Sequence, residues 1–151
     1  VRSGTLATPL IVGLGEACRL AALEMAEDAE RIGSLRAMLL DRLTAGIPGL
    51  AVNGSFQDRI AGNLNLTFPT TTAIEIMERC PDLCVSTGSA CSSAEVEPSY
   101  VLRALGLSEH QAARTFRIGI GRFTSPADID YAVSALTAAH SGRHADHLAE
   151  A

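Results

Sequence analysis

Small polar residues gather around one thiol between Val85 and Pro98, which reads Val-Ser-Thr-Gly-Ser-Ala-Cys-Ser-Ser-Ala-Glu-Val-Glu-Pro with Cys91 at its centre. Almost every residue from Ser86 to Ala94 is small and polar or Gly, so the stretch can neither bury itself nor hold a regular element. A mobile loop carrying one thiol is expected. A cysteine on an apolar face is ordinarily a small core hydrophobe. Here that face is missing, and a thiol displayed in this way suits a nucleophile that must travel. The second candidate is Arg117. In strand period, Phe116, Ile118 and Ile120 take one face, while Arg117, Gly119 and Gly121 share the other. The two glycines leave open space in which an anion or a neighbouring backbone could approach the guanidinium. A surface ion pair is the competing reading of Arg117. His140, His144 and His147 are spaced as a helix presents metal ligands, and Cys80 with Cys84 offers two thiols. The cysteine pair flanks Pro81 and no second cluster has matching spacing. An exposed polar tail and a half-buried cysteine pair are therefore preferred to a zinc site, and no metal is expected.

Composition narrows the chemistry further. The 151 residues, 47% of them hydrophobic, suffice for one core and one domain. A net charge of −5 and scattered arginines argue against a nucleic-acid partner and point to proteins or small molecules. No apolar run is long enough to span a bilayer, and the opening Val1-Arg-Ser-Gly4 does not form a signal peptide. Because the chain opens on Val1 and not Met, a piece of a longer protein, or a processed one, is expected. Four cysteines without framework spacing suit a reducing compartment, hence the cytoplasm. All twelve basic residues are Arg. Any reaction that needs a lysine Schiff base must borrow that lysine from elsewhere.

The elements that position these residues are readable from period and punctuation. Thr8 as cap and Pro9 at the first helical position open a helix. Its apolar stripe runs Leu14, Cys18, Ala21, Met25, Ala29, Ile32, Leu35, Leu39 and Leu43, to an expected end at Gly46. On this stripe Cys18 reads as a core residue. Glu27 and Arg31 make a favourable four-residue pair on a solvated face. Gly13 and Gly15 suggest a bend or a close packing contact. Leu50 to Val52 is a short apolar run before the Asn53-Gly54 turn, and Asn63 to Phe68 alternates as a half-buried strand with Leu64, Leu66 and Phe68 inward. Thr72 and Glu75 form a capping box for a short helix that Pro81 stops, and Leu83 to Ser86 is a brief strand feeding the Cys91 loop. Pro98 begins another helix closed by Gly106, Ser108 with Gln111 caps a second, and Phe116 to Gly121 is a strand. Ser125, Pro126 and Asp128 open the last helix, with Ile129, Val133 and Leu136 inward, before a fraying tail from His140. This order predicts an α+β fold in which a long N-terminal helix and a small, mostly antiparallel sheet pack against further helices.

Three segments carry a resemblance. Ser86-Thr-Gly-Ser-Ala-Cys-Ser-Ser93 followed by Glu97-Pro-Ser-Tyr-Val-Leu-Arg-Ala-Leu-Gly106 resembles the active-site loop and following helix of the group I, NifS-like cysteine desulfurases. Arg2-Ser-Gly-Thr5 with Ile11-Val-Gly-Leu-Gly-Glu16, and Phe116-Arg-Ile-Gly-Ile-Gly-Arg-Phe-Thr124, are similar to two more segments of that family in the same order. The likeness extends from residue 1 to about residue 140.

The resemblance implies the C-terminal small domain of the aminotransferase-like fold. Residues 1–9 would be a remnant of the large cofactor domain or a linker, 10–140 the small domain with its linking helix, and 141–151 a flexible tail. It also implies roles. Cys91 would be the nucleophile that takes sulfur from L-cysteine as a persulfide while L-alanine leaves, and that then offers the sulfur to an acceptor such as an iron-sulfur scaffold, where the persulfide would meet the growing cluster. Arg117 would clamp the substrate carboxylate, and Thr5 would contact the phosphate of pyridoxal 5'-phosphate in the partner subunit of a homodimer. The family's cofactor-binding lysine, its stacking histidine and the aspartate beneath the pyridine nitrogen belong to a preceding domain, and none of them is in this sequence. The chain alone is therefore expected to be inactive as a desulfurase. A stand-alone persulfide carrier or binding module is the alternative, and Arg117 counts against it, because a carrier has no carboxylate to hold. A domain kept only for dimer contacts is a further alternative, against which the thiol loop argues.

Overall fold

The computed structural model describes residues 4–87 and 99–142. Helix α1 spans Thr8–Gly46, and two strands follow, β1 (Ala51–Val52) and β2 (Asn63–Thr67). Then come α2 (Ala73–Arg79), α3 (Tyr100–Ala104), α4 (Glu109–Ala112), β3 (Thr115–Gly119) and α5 (Pro126–His140). Among the described residues the strands form one antiparallel sheet in the order β1-β2-β3. This is the expected α+β architecture.

Alternation along the strands sorts the sheet into two faces. Leu64, Leu66, Phe116, Ile118 and Ile120 point into the core with Phe68, whose ring stacks on that of Phe116 at 5.0 Å between centroids. Helices cover this face: Leu35, Leu39 and Leu43 of α1, Ala73 and Ile76 of α2, and Ile129, Ala135, Leu136 and Ala139 of α5. The other face carries Asn63, Asn65 and Thr67 of β2 opposite Gly119, Arg117 and Thr115 of β3. The core therefore serves as the platform beneath a polar face.

Local chemistry explains the helix starts. Thr72–Glu75, Ser108–Gln111 and Ser125–Asp128 each form a full capping box, in which the hydroxyl accepts from the N3 amide and the N3 side chain accepts from the cap amide. These reciprocal bonds hold the carboxyls of Glu75 and Asp128 below the ordinary carboxylate range. Gly106, at φ +86°, turns the chain after α3.

Several expectations are corrected. Ala7, not Thr8, occupies the cap position of α1, and no side chain caps that end. Pro9 supplies the start signal alone. Leu14, Cys18, Ala21 and Met25 are exposed, because among the described residues no helix or strand covers that side of the first half of α1, so Cys18 is not a core residue. Gly13 and Gly15 lie inside α1, and a Cβ at either would meet nothing within 4 Å, which removes the close packing contact. Arg31 stands 3.8 Å from Asp28, not against Glu27, and donates to the main-chain oxygens of Arg122 and Thr124. The run from Leu83 to Ser86 yields only one bridge, between Ser86 and Arg117. The strand expected at Phe116–Gly121 begins one residue earlier and ends at Gly119, after which the Ile120 amide donates to the Gly62 carbonyl at 2.8 Å. The helix after the thiol stretch ends at Ala104, and Pro98 lies outside the described residues. Val133 is half-buried and packs against the core, as its inward position requires. His140 is no tail residue: it closes α5, and its Nδ1 meets the Thr71 hydroxyl at 2.8 Å.

Candidate functional site

Strand β3 brings Arg117 to the polar face of the sheet, where its side chain is exposed. The alternation Phe116, Ile118, Ile120 is what aims it there, since those three side chains are buried on the opposite face. A Cβ at Gly119 or at Gly121 would meet no atom within 4 Å, so the expected open space beside the guanidinium is present. No ion pair engages Arg117 among the described residues.

A pocket of about 380 Å³ surrounds this position. Its floor is the polar sheet face with Asn63, Asn65 and Arg117. One wall is the 53–59 loop with Asn53, Ser55 and Arg59, and the opposite wall is apolar, from Val101, Leu102 and Leu105 on and just after α3. Such a cleft, carrying both signs of charge from Asp58, Arg59 and Arg117 and apolar along one side, fits a small zwitterion or acid better than an extended polymer.

Hydrogen bonds build the floor and the polar wall together. Asn53 Nδ2 donates to Asn65 Oδ1 at 2.8 Å and to Thr67 Oγ1 at 2.9 Å, while Asn65 Nδ2 donates to the Phe116 carbonyl at 3.4 Å. The hydroxyls of Thr67 and Thr115 lie 2.6 Å apart, and Thr115 donates to the Gln111 carbonyl at 2.8 Å. Behind them, Arg59 Nη2 donates to the Asn53 carbonyl at 2.8 Å and Arg59 Nε to that of Ser55 at 2.6 Å, closing the loop on itself. Burial, with the Arg36 guanidinium second, pushes Arg59 below the ordinary arginine value. Both guanidinium groups lie against the Phe56 ring, at 4.8 Å for Arg36 and 5.7 Å for Arg59.

Cys91 lies outside the described residues. The chain reaches that stretch from Ser86, which is joined to Arg117 by two main-chain hydrogen bonds: Arg117 N donates to Ser86 O at 2.7 Å, and Ser86 N donates to Arg117 O at 3.1 Å. Thr87 on one side of the stretch and Ser99 on the other both line the pocket. Thr5 is exposed, three residues before α1. The structure thus joins Arg117 to the approaches of the thiol stretch but does not bring Thr5 to the pocket lining. Of the residues weighed as metal ligands, Cys80 is buried with its thiol pushed up by burial and donates to the Ala135 carbonyl at 3.4 Å, whereas Cys84 is exposed. His140 is held against Thr71, and His144 and His147 fall outside the described residues.

Pyridoxal phosphate needs an amine to form its Schiff base, and this sequence has no lysine side chain to offer. The pocket is lined by the guanidinium groups of Arg59 and Arg117, the Asp58 carboxylate, and amides and hydroxyls, none of them an amine. These residues do not form a seat for the cofactor.

Sequence reading missed Asn53, Asn65 and Arg59 as pocket residues. The alternation of β2 puts Asn63 and Asn65 on a polar face, but only the β2–β3 register shows that Asn65 lies opposite Arg117.

Cysteine desulfurase IscS from Tolumonas auensis is 53% identical over 133 residues, covering 88% of this chain and 33% of that protein. Cysteine desulfurase IscS from Anaeromyxobacter sp. is 50% identical over 132 residues, covering 87% and 33%. Among solved structures, a NifS-like protein from Rickettsia africae superposes with a TM-score of 0.80 at 25% identity, over 93% of this chain and 37% of that one. The chain thus spans about one third of the length of these curated relatives. The aminotransferase class-V family model matches residues 1–132, which takes in α1, the sheet, the Cys91 stretch and the Arg117 pocket together, and the chain belongs to the aminotransferase class-V family.

Proposed function

We propose that this chain is the thiol-bearing C-terminal part of a cysteine desulfurase. The observation that carries the proposal is the placement of Arg117, open on a glycine-flanked strand face and joined through Ser86 to the stretch that bears Cys91. In the reaction, the Cβ–S bond of L-cysteine breaks and an S–S bond forms at Cys91. A thiol and cysteine become a persulfide and alanine, with no external oxidant. Pyridoxal phosphate, which would be held by a lysine outside this chain, would supply the electron sink for that bond cleavage.

The residues of this chain do the binding and the carrying. Arg117 takes the substrate carboxylate in bidentate geometry, the apolar wall of Val101 and Leu105 keeps water from the carbon end, and Cys91 leaves with the sulfur. Thr5 contributes its hydroxyl to the cofactor phosphate of a partner subunit in a homodimer. Residues 10–140 form the small domain, with α1 as its link. The exposed apolar side chains of Leu10, Ile11, Val12 and Leu14 support that role for the first half of the helix. The acceptor is a protein such as an iron-sulfur scaffold, and the reducing cytoplasm is the compartment that keeps Cys91 available.

Alanine release from L-cysteine with pyridoxal phosphate added tests the reading, comparing this chain alone with the complete desulfurase that contains it. Activity only in the complete protein, abolished by Cys91→Ser, is expected. Turnover by this chain alone overturns the argument from the absent lysine. Sulfur acceptance by this chain from another desulfurase, with no activity in the complete protein, makes it a carrier.

A further inference from the structure

We infer that Asn65 is the positioning residue of the Arg117 clamp, and that its neutrality is what leaves the guanidinium free for a carboxylate. The inference rests on the reading of Arg117 given above. Asn65 and Arg117 are direct partners in the β2–β3 register, so their side chains stand side by side on the pocket floor, with Cβ atoms about 5 Å apart. Along β3 the same face holds Gly119 on one side, which offers no side chain, and Thr115 on the other, whose hydroxyl is engaged by Thr67 and Gln111. Across the sheet Asn65 is the neighbour of Arg117 on the β2 side, and Ser86, bridged to Arg117, flanks it on the other.

The carboxamide is itself fixed. Its Oδ1 accepts from Asn53 and its Nδ2 donates to the Phe116 carbonyl, so the oxygen faces the 53–59 loop and the amide nitrogen faces β3, the strand that carries Arg117. Asn53 is fixed in turn by Arg59, whose fork holds the Asn53 and Ser55 carbonyls. A chain of support thus runs from Arg59 through Asn53 to Asn65.

Charge explains why an amide stands there. A carboxylate of the same shape at position 65 would lie within ion-pair reach of Arg117 and compete with the incoming one for the same fork. An amide fills the volume and keeps the hydrogen bond from Asn53 without supplying a counter-charge. Asp58 also lines the pocket, but its Oδ2 accepts from the Ser55 hydroxyl at 3.0 Å and no ion pair links it to Arg117 among the described residues, so the Arg117 fork stays open to an anion from outside.

The test uses the complete desulfurase and compares Arg117→Ala, Asn65→Asp and Asn65→Ser. Two ligands report: L-alanine, which carries the carboxylate, and L-alanine methyl ester, which does not. For Asn65→Asp, the KM for L-cysteine and the dissociation constant of L-alanine are expected to rise about tenfold or more, with kcat changed far less and ester binding unchanged. Asn65→Ser, neutral but too short to reach Asn53, is expected to weaken L-alanine by a smaller factor, again without affecting the ester. It carries the test if Asp at this position prevents folding. Equal losses for the acid and the ester, or no loss for either variant, overturn the role of Asn65. If Arg117→Ala leaves the preference for acid over ester intact, the reading of Arg117 itself fails. If it removes that preference while the Asn65 variants keep it, only the present inference fails.

Discussion

Two glycines at the edges of the site behave in opposite ways, and each gives a measurable outcome. A Cβ at Gly119 meets nothing within 4 Å, whereas one at Gly62 would stand 2.0 Å from the Ile120 carbonyl oxygen, a main-chain atom that cannot give way. Gly62→Ala is expected to cost at least ~2 kcal/mol, read from urea unfolding. Gly119→Leu is expected to leave the unfolding midpoint nearly unchanged while raising KM for L-cysteine in the complete enzyme, because the added side chain enters the space beside Arg117. A further residue-scale expectation concerns pH. Burial pushes the His140 imidazole below its ordinary value while Thr71 holds Nδ1. The folded state therefore binds a proton less readily than the unfolded state. The resulting stability is full above the unfolded value of about 6.5 and is lost as pH falls below it. Thermal unfolding of the wild type should show Tm falling between pH 7.5 and 5.5, with a shallower slope for His140→Gln. Equal slopes would show that His140 does not titrate with folding.

Among the elements, starts and faces were legible where a local rule governs them. The three capping boxes could be read from residue types alone, because each is closed by side chains three positions apart. Ser125→Ala should cost ~1 kcal/mol, whereas Leu39→Ala, buried where α1 crosses the core, should cost ~2–5 kcal/mol. Chemical denaturation of the two variants checks the ratio. The faces of β2 and β3 were also legible, since a period of two sorts Leu64 from Asn65 and Phe116 from Arg117 without knowledge of the partner strand. What the sequence withheld was tertiary. The same periodic stripe runs through both halves of α1, but burial begins only where another element arrives, so Leu35 is buried and Met25 is not. Likewise Arg31 read as a solvated charge, and nothing in the sequence tied Arg122 to α1. In the fold, Arg122 reaches Glu24 at 2.9 Å and Asp28 at 2.7 Å, while Arg31 holds the carbonyls of Arg122 and Thr124, fastening the turn before α5 onto α1. The neighbouring Phe123 is left 93% exposed at the tip of that turn.

For the molecule as a whole, α1 is the dominant dimension. Its 39 residues span ~58 Å, and among the described residues the core packs against its second half. A helical half without a tertiary partner is marginal in water. Amides from Ile11 to Leu20 should therefore exchange faster than those from Leu35 to Leu43 in this chain alone, and mass-resolved hydrogen exchange would show the difference. Equal protection would mean that the first half is stabilised by something other than packing within this chain. In the complete enzyme the two halves are expected to converge. The Ser86–Arg117 bridge sets a second length. Cys91 lies five positions after Ser86, and at no more than ~3.6 Å per residue the Cα of Cys91 stays within ~18 Å of Ser86 by any route. The bridge is then the fixed end of a short tether. On the proposed function, an acceptor that takes sulfur from Cys91 would have to bring its own reactive atom close to that radius of β3, so acceptors would be sorted by how nearly they fit against this edge of the sheet, whatever they bind elsewhere.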